Sequence, residues 1–195
     1  METVFRNDLG EGNKTVLDVS QMLCISYRSR IMAQIIFQKV YPRFFKKEGH
    51  TIVAIASVYL SAKINEALVK PDVLFEMISR NMPAGTALSR DRLVSVECKI
   101  IEMIEFQFNV CPAQLFLMRV GKTLGIDVSR KLLALDEIHG DSRANFIKYF
   151  DGMYDPEVVA LSVLGDEEVR LFECYFGVRI DRGLVEEVRS IMTKK

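Results

Sequence analysis

The sequence predicts an all-α protein. Apolar residues recur at the 3.6-residue period of a helix in most segments, and no segment shows the apolar–polar alternation of a half-buried strand. Residues 50–66, HTIVAIASVYLSAKINE, are apolar or small at almost every position from Ile52 to Ile64, which indicates a helix buried on all sides. This apolar run is too short to cross a bilayer, so we expect a central helix with others packed around it.

Length and composition narrow the classes of protein that fit. The 195 residues are 49% hydrophobic, enough for one domain or two small ones. Lys+Arg 26 balances Asp+Glu 26, so the chain has no excess of basic side chains for a phosphate backbone, and direct nucleic-acid binding is not expected. The first 20 residues lack the pattern of a secretory signal, and no lipidation motif is present. We therefore expect an intracellular protein without membrane association.

The four cysteines show no CxxC spacing and lie in apolar surroundings along the sequence. Such cysteines are typical of reduced thiols in the core of an intracellular protein. We therefore expect Cys24, Cys98, Cys111 and Cys174 to be free and buried.

The first half of the chain predicts five helices. Residues 1–14 are polar and contain glycines, which predicts a loose lead-in before a short, lone helix over residues 16–27. The next helix is expected after a cap at Ser29 and as far as Tyr41, with a stop at Pro42, and further helices are expected over residues 50–66 and 73–79. Ser89 is expected to cap a long helix that ends near Phe106.

The second half predicts a series of short helices after a boundary at Cys111-Pro112. The expected helices cover residues 113–124, 129–138, 142–150, 156–164, 167–176 and 183–192. Asp141, Asp155, Asp166 and Asp181 lie at or just before four of these starts, where aspartate caps helices well. The predicted organisation is an N-terminal segment (residues 1–27), a first unit (28–111) and a second unit (112–195).

No catalytic or cofactor-binding motif is present. Gly121-Lys122-Thr123 resembles the end of a phosphate-binding loop, but that motif needs a glycine where this chain has Phe116. His50 and His139 have no cysteine or histidine at the spacing of a zinc site. No nucleophile elbow or glycine-rich nucleotide loop occurs. We expect a protein that is not an enzyme and that takes no metal, cofactor or small-molecule substrate.

Lys63 and Glu97 are charged residues that interrupt apolar helical stripes. Each has an ordinary interpretation, which spacing alone favours. Lys63 is then a cation near a helix C-terminus with Glu66 nearby, and Glu97 is a half-exposed residue that pairs locally with Lys99 or Arg90. In the other interpretation, Lys63 and Glu97 are charged anchors on one apolar helical surface that meets another protein.

Several segments resemble the cyclin box. Residues 53–66, VAIASVYLSAKINE, resemble its central helix, and residues 97–106, ECKIIEMIEF, resemble a later helix in which Phe follows Glu by nine positions. Residues 28–44 are similar to the first helix of the box. In the second half, GDS at 140–142 and PEVVAL at 156–161 resemble a second box more weakly. The resemblance implies two tandem cyclin boxes of about five helices each, the second abbreviated, after a short N-terminal helix.

The resemblance also implies a function and a set of binding residues. In cyclins, the Lys and Glu at the positions of Lys63 and Glu97 contact a cyclin-dependent kinase and help to hold its movable helix in the active position. The chain would then be the regulatory subunit of a heterodimer with such a kinase. By motif position the kinase-binding residues are Lys63, Glu97, Ile101 and Phe106, and Phe108 is added on geometric grounds.

Departures from the family pattern favour one subclass. Asn65 replaces the first acidic residue of the usual Glu-Glu pair, so that contact is in question. The chain lacks the Met-Arg-Ala-Ile-Leu motif of cell-cycle cyclins but has Asp141-Ser142. Both features are similar to the transcription-associated C, H, K, L and T types, which implies a nuclear role with a kinase of RNA polymerase II.

Two alternatives use the same fold. A DNA-binding core similar to that of transcription factor IIB would be expected to have a basic face and a preceding zinc ribbon, and the sequence has neither. A scaffold that binds a kinase without activating it would fit the abbreviated second half.

Overall fold

The computed structural model describes residues 2–67, 69–82, 88–108, 112–140 and 154–193. Within these ranges the protein has ten helices and no strand, which confirms the all-α prediction. The helices are α1 (Glu2–Met22), α2 (Tyr27–Phe44), α3 (His50–Ile64), α4 (Pro71–Asn81), α5 (Arg90–Met103), α6 (Ala113–Leu124), α7 (Ser129–Gly140), α8 (Pro156–Ser162), α9 (Asp166–Phe176) and α10 (Arg182–Thr193). The helix predicted over residues 142–150, the cap at Asp141 and the thiol of Cys111 lie outside the described residues.

The chain divides into two compact units, Met1–Val110 and Cys111–Lys195. The division lies one residue from the boundary that Cys111-Pro112 predicts. In the first unit, α3 packs against α1, α2 and α5. In the second unit, α8 packs against α6 and α10, while α6 also contacts α7 and α9.

Helix α3 is the centre of the first unit. Every residue from Ile52 to Ala62 is buried, as a helix that is apolar on all sides requires. The Ser61 hydroxyl donates a hydrogen bond of 2.9 Å to the backbone carbonyl of Ser29 on α2. The bond gives the buried hydroxyl a hydrogen-bond partner. It also joins α3 to α2 where small side chains allow the two helices to approach closely.

The prediction for the N-terminus is wrong. Residues 1–14 are not a loose lead-in: α1 is a 21-residue helix that starts at Glu2 and packs against α2 and α3. Leu9, Val16 and Val19 are buried on one face, and this burial outweighs the low helix propensity of the glycines. Gly12 lies against Phe37 of α2, where a methyl group would be 2.0 Å from the ring carbon Cζ.

Polar and aromatic side chains also fasten α1 to α2. The Tyr41 hydroxyl donates to Oδ2 of Asp8 at 3.1 Å, and the Gln38 amide donates to Oδ1 of Asn13 at 2.8 Å. The Tyr41 ring also stacks on Phe5 of α1, with ring centroids 6.1 Å apart. Burial and the hydrogen bond to Asp8 raise the pKa of Tyr41 above its usual range. The N-terminal helix is therefore part of the core of the first unit.

Helix ends follow the capping rules in part. Ser89 caps α5 as predicted, because its hydroxyl accepts a hydrogen bond from the Arg92 amide. Helix α2 is capped by Ser26 rather than by Ser29, and it continues past Pro42 to Phe44 although the proline there cannot donate the helical hydrogen bond. Asp181 accepts from the Leu184 amide at the start of α10, whereas Asp155 makes no side-chain capping bond and Asp166 is the first residue of α9.

The prediction of buried cysteines is also wrong for the thiols that the structure describes. Cys24, Cys98 and Cys174 are free, as expected, but all three are exposed. Apolar neighbours in sequence do not bury a helical residue when those neighbours lie on another face of the helix.

Candidate partner-binding site

The two charged residues that interrupt the apolar stripes bind each other. Lys63 lies in the last turn of α3, and Glu97 lies in the middle of α5, 34 residues later. The Lys63 ammonium donates to Oε1 of Glu97 at 2.6 Å and to Oε2 at 2.8 Å. The structure therefore joins two residues that the sequence could relate only through a family pattern.

The two members of this pair differ in exposure. The side chain of Lys63 is 47% exposed, whereas that of Glu97 is 7% exposed among Leu93, Val96 and Ile100. A carboxylate in such surroundings costs free energy to bury unless it has a partner, and the ammonium supplies one. Glu97 occupies two of the three N–H donors of Lys63 at most, so the exposed ammonium can still donate to an acceptor on another protein.

The local pairing that spacing favoured is absent. Lys99 lies 3.5 Å from Glu48, in the loop before α3, and Arg92 lies 3.1 Å from the same carboxylate. Glu97 instead reaches across to α3 because α3 and α5 pack directly against each other. The interpretation of Glu97 as a half-exposed residue with a partner on its own helix is wrong.

Tyr59 is a site residue that the sequence analysis missed. Its ring lies one helical turn before Lys63 on α3, and the ammonium nitrogen is 4.1 Å from the ring centroid. A cation over an aromatic face is attracted by the ring quadrupole. Tyr59 is buried, so its ring is a fixed support that holds the lysine over Glu97. The four-residue spacing from Lys63 was the signal available in the sequence.

The three apolar residues of the predicted site differ in exposure. Ile101, one turn after Glu97 on α5, is half-buried, and Phe108 is also half-buried. Phe106 is 67% exposed, the largest exposure among the described large apolar side chains. The rings of Phe106 and Phe108 meet edge to face with centroids 6.4 Å apart.

The backbone at Phe106 is unusual. Helix α5 ends at Met103, and both Glu105 and Phe106 then take left-handed conformations, with φ of 55° and 58°. The amide of Phe106 donates to the carbonyl of Ile101 at 3.1 Å, which closes the end of the helix. Glycine normally takes such positions because a side chain is strained there. A bulky ring at this position costs conformational strain, and the ring is buried too little to offset that strain.

Asn65 is committed to contacts inside its own unit. Its side-chain amide donates to the carbonyl of Ser61 at 2.9 Å and lies 3.3 Å from the sulfur of Met32. The side chain that replaces the acidic residue of the family pattern therefore stabilises the end of α3.

The described residues form neither a metal site nor a membrane-spanning helix. These ranges contain no group of three or more His, Cys, Asp or Glu side chains placed to hold a metal ion. Among the same residues, no helix has the length and apolar character needed to span a membrane. His50, one of the two histidines, lies 3.4 Å from Glu11 of α1.

Comparison with known proteins adds no assignment, because neither a protein-family model nor a curated protein matches the chain.

Proposed function

We propose that the chain is a cyclin, in which each unit is a cyclin box and the second box is abbreviated. The proposed function is to bind a cyclin-dependent kinase and to stabilise its active conformation. The observation that carries the proposal is the ion pair between Lys63 and Glu97, two residues singled out by their places in the cyclin-box pattern. The pattern gives these two residues one reason to be in contact, which is that they belong to the same binding site.

The geometry of the pair suits recognition of another protein. Glu97 and Tyr59 hold the ammonium of Lys63 in place, so little side-chain freedom is lost when a partner accepts its hydrogen bond. A fixed charge sets the orientation of a complex, while nearby apolar groups supply most of the free energy of binding. Phe106 and Ile101 follow Glu97 on the same segment and provide that apolar surface.

The strained backbone at Phe106 supports the same function. An exposed ring on a left-handed residue contributes little to the folded unit and costs about 1 kcal/mol of strain or more. Residues kept in such conformations concentrate at binding and catalytic sites. We assign Phe106 to the kinase-binding surface, with Phe108 packed against its ring.

Activation would follow from differential binding. A cyclin that contacts its kinase only when the movable helix is in the active position shifts the population toward that state, and needs no chemistry of its own. We further propose a transcription-associated cyclin in the nucleus, with the tail of RNA polymerase II as the substrate of its kinase. This subclass rests on the missing Met-Arg-Ala-Ile-Leu motif of cell-cycle cyclins and on Asp141-Ser142.

The test is a co-expression pull-down of the full chain against a panel of cyclin-dependent kinases from the source organism. Phosphorylation of a polymerase-tail peptide and of a general kinase substrate is then measured. The double variant Lys63→Ala/Glu97→Ala removes both charges, so it leaves no unpaired buried carboxylate. We expect at least a tenfold loss of kinase affinity, about 1.4 kcal/mol or more.

The matched control is Lys99→Ala. Lys99 has a similar exposure of 49% and is also ion-paired, but with Glu48 rather than Glu97. We expect less than a twofold change in affinity for this variant. Binding of no kinase, or equal affinity for the double variant and the wild type, would refute the assigned interface. Binding without stimulation would identify a scaffold instead.

A further inference from the structure

A cleft of about 430 Å³ lies between the end of α1 and the start of α2, and it includes none of the proposed kinase-binding residues. It is lined by Leu17, Ser20 and Gln21 of α1, by Cys24 and Ile25 of the connection, and by Arg30 of α2. Positions 17, 20 and 21 occur at the spacing i, i+3 and i+4, which places them on one face of α1. The cleft therefore combines apolar side chains with a hydroxyl, an amide, a thiol and a guanidinium.

The hydroxyl of Ser20 has no hydrogen-bond partner among the described residues. Ser20 is only 2% exposed, so water does not readily replace the missing partner. A serine inside a helix usually avoids this cost by donating to a carbonyl of the preceding turn, as Ser57 does to Val53 at 2.8 Å. Because Ser20 belongs to the wall of the cleft, a molecule bound there can supply the acceptor.

Arg30 brings a positive charge to the same cleft. Its guanidinium carbon is 4.9 Å from the centroid of the Tyr27 ring, and this cation–π contact holds the group at the start of α2. Arg30, Leu17 and Ile25 are all half-buried. Among the described residues that line the cleft, none is acidic. A guanidinium beside apolar side chains suits a carboxylate, which accepts two parallel N–H bonds.

Cys24 brings a free, exposed thiol to the cleft. It has a left-handed backbone, with φ of 49°, directly after α1, where the Ile25 amide donates to the Ser20 carbonyl at 3.1 Å. Glycine normally occupies such a position because a side chain is strained there. The variant Cys24→Gly therefore removes the thiol and preserves the helix end.

We propose that this cleft is a site of reversible glutathionylation at Cys24. The Cys24 thiolate attacks one sulfur of oxidised glutathione, the S–S bond of that molecule breaks, and the released glutathione thiolate takes up a proton. Cys24 is oxidised to a mixed disulfide and one glutathione is reduced. A carboxylate of the attached tripeptide pairs with Arg30, and one of its carbonyl oxygens accepts from Ser20. Excess reduced glutathione reverses the step.

Two other thiols serve as internal controls for the test. Cys98 on α5 and Cys174 on α9 are also free and exposed, but they lie outside the cleft. The full chain is equilibrated with mixtures of reduced and oxidised glutathione, and the adduct at each cysteine is measured by peptide mass spectrometry. We expect the equilibrium constant at Cys24 to exceed the other two by roughly tenfold or more. With hydroxyethyl disulfide, which has no carboxylate, this preference should disappear.

Variants separate recognition of the tripeptide from folding. Arg30→Gln should lower the Cys24 constant several-fold, whereas Arg43→Gln, at an exposed cation in the last turn of α2, should leave it unchanged. Ser20→Ala should also lower the constant but not the urea midpoint, since the hydroxyl lacks a partner before modification. Cys24→Gly should abolish this adduct in a protein that remains folded.

Equal adduct formation at Cys24, Cys98 and Cys174 would overturn the proposal. So would a preference for Cys24 that persists with hydroxyethyl disulfide, because the thiol would then react without recognition of the tripeptide. A Cys24 constant that neither Arg30→Gln nor Ser20→Ala lowers would show that the cleft does not hold the attached group.

Discussion

Gly12 of α1 lies directly against the ring of Phe37 of α2. A Cβ atom at position 12 would be 2.0 Å from Cζ and 2.7 Å from Cε1 of that ring, and Phe37 is fully buried. Buried side chains are close-packed, so the ring could move aside only by displacing its neighbours. The glycine that appeared to disfavour a helix in the sequence is therefore the residue that lets α1 approach the core.

Gly12→Ala should destabilise the first unit. Alanine would raise stability by about 1 kcal/mol through helix propensity if the site were open, but overpacking against a buried ring costs about 1–3 kcal/mol or more. We expect a net loss of about 2 kcal/mol in the free energy of unfolding by urea. Gly49→Ala is the control, since no atom lies within 4 Å of its Cβ position, and should change stability by less than about 1 kcal/mol. Equal effects would show that α1 does not pack as described.

The ion pair of Lys63 with Glu97 predicts unequal costs for its two single variants. Lys63→Met leaves a carboxylate buried without a partner, whereas Glu97→Gln leaves a half-exposed ammonium that water can solvate. After allowance for solvent screening at Lys63, we expect a loss of about 1–3 kcal/mol for Lys63→Met and a smaller loss for Glu97→Gln. The double variant should lose less than the sum. Urea unfolding of the four proteins gives the coupling energy, and additive losses would contradict the pairing.

Phe106→Gly should separate stability from binding. Glycine takes a φ of 58° without strain, and the exposed ring contributes little beyond its contact with Phe108. The free energy of unfolding should stay within about 0.5 kcal/mol of the wild type or increase. Affinity for the kinase should fall at least tenfold if the ring belongs to the interface. Leu133→Gly tests the same change at an exposed position inside α7, outside the proposed kinase-binding residues, where it should reduce stability and leave binding unchanged.

Tyr41 predicts a loss of stability at alkaline pH. Burial and the contact with Asp8 raise its pKa above that of the unfolded chain, which is about 10. The folded state therefore holds the phenolic proton more tightly. The resulting stability is fully present below about pH 10 and is lost as the pH rises above that value. The urea midpoint should fall less steeply above pH 10 for Tyr41→Phe than for the wild type. Tyr175→Phe, at an exposed tyrosine, should leave the slope unchanged.

The sequence predicted helices well where apolar periodicity and capping agree. The bounds of α6 match the prediction of residues 113–124, and the buried run of α3 from Ile52 to Ala62 matches the stretch that is apolar on all sides. Such signals can be read from one segment alone. A helix that is apolar on all sides must be buried, whichever elements pack against it.

Contacts between helices were harder to predict. The position of Glu97 inside an apolar stripe was visible, but its partner depends on how α3 packs against α5, and sequence neighbours such as Lys99 were misleading. The N-terminal part of α1 was missed because Gly12 lowers helix propensity locally, whereas the benefit of this glycine comes from a contact with Phe37, 25 positions away. Tertiary packing decided both cases.

The burial of α3 on every side has a consequence for how the first unit opens. Because α1, α2 and α5 all pack on α3, no one of them can leave without exposing part of its apolar surface to water. The backbone amides from Val53 to Leu60 should then exchange their hydrogens only when the whole unit unfolds. Their exchange rates would report the global stability of the first unit, and a partner that binds at Lys63 would slow them all by one common factor.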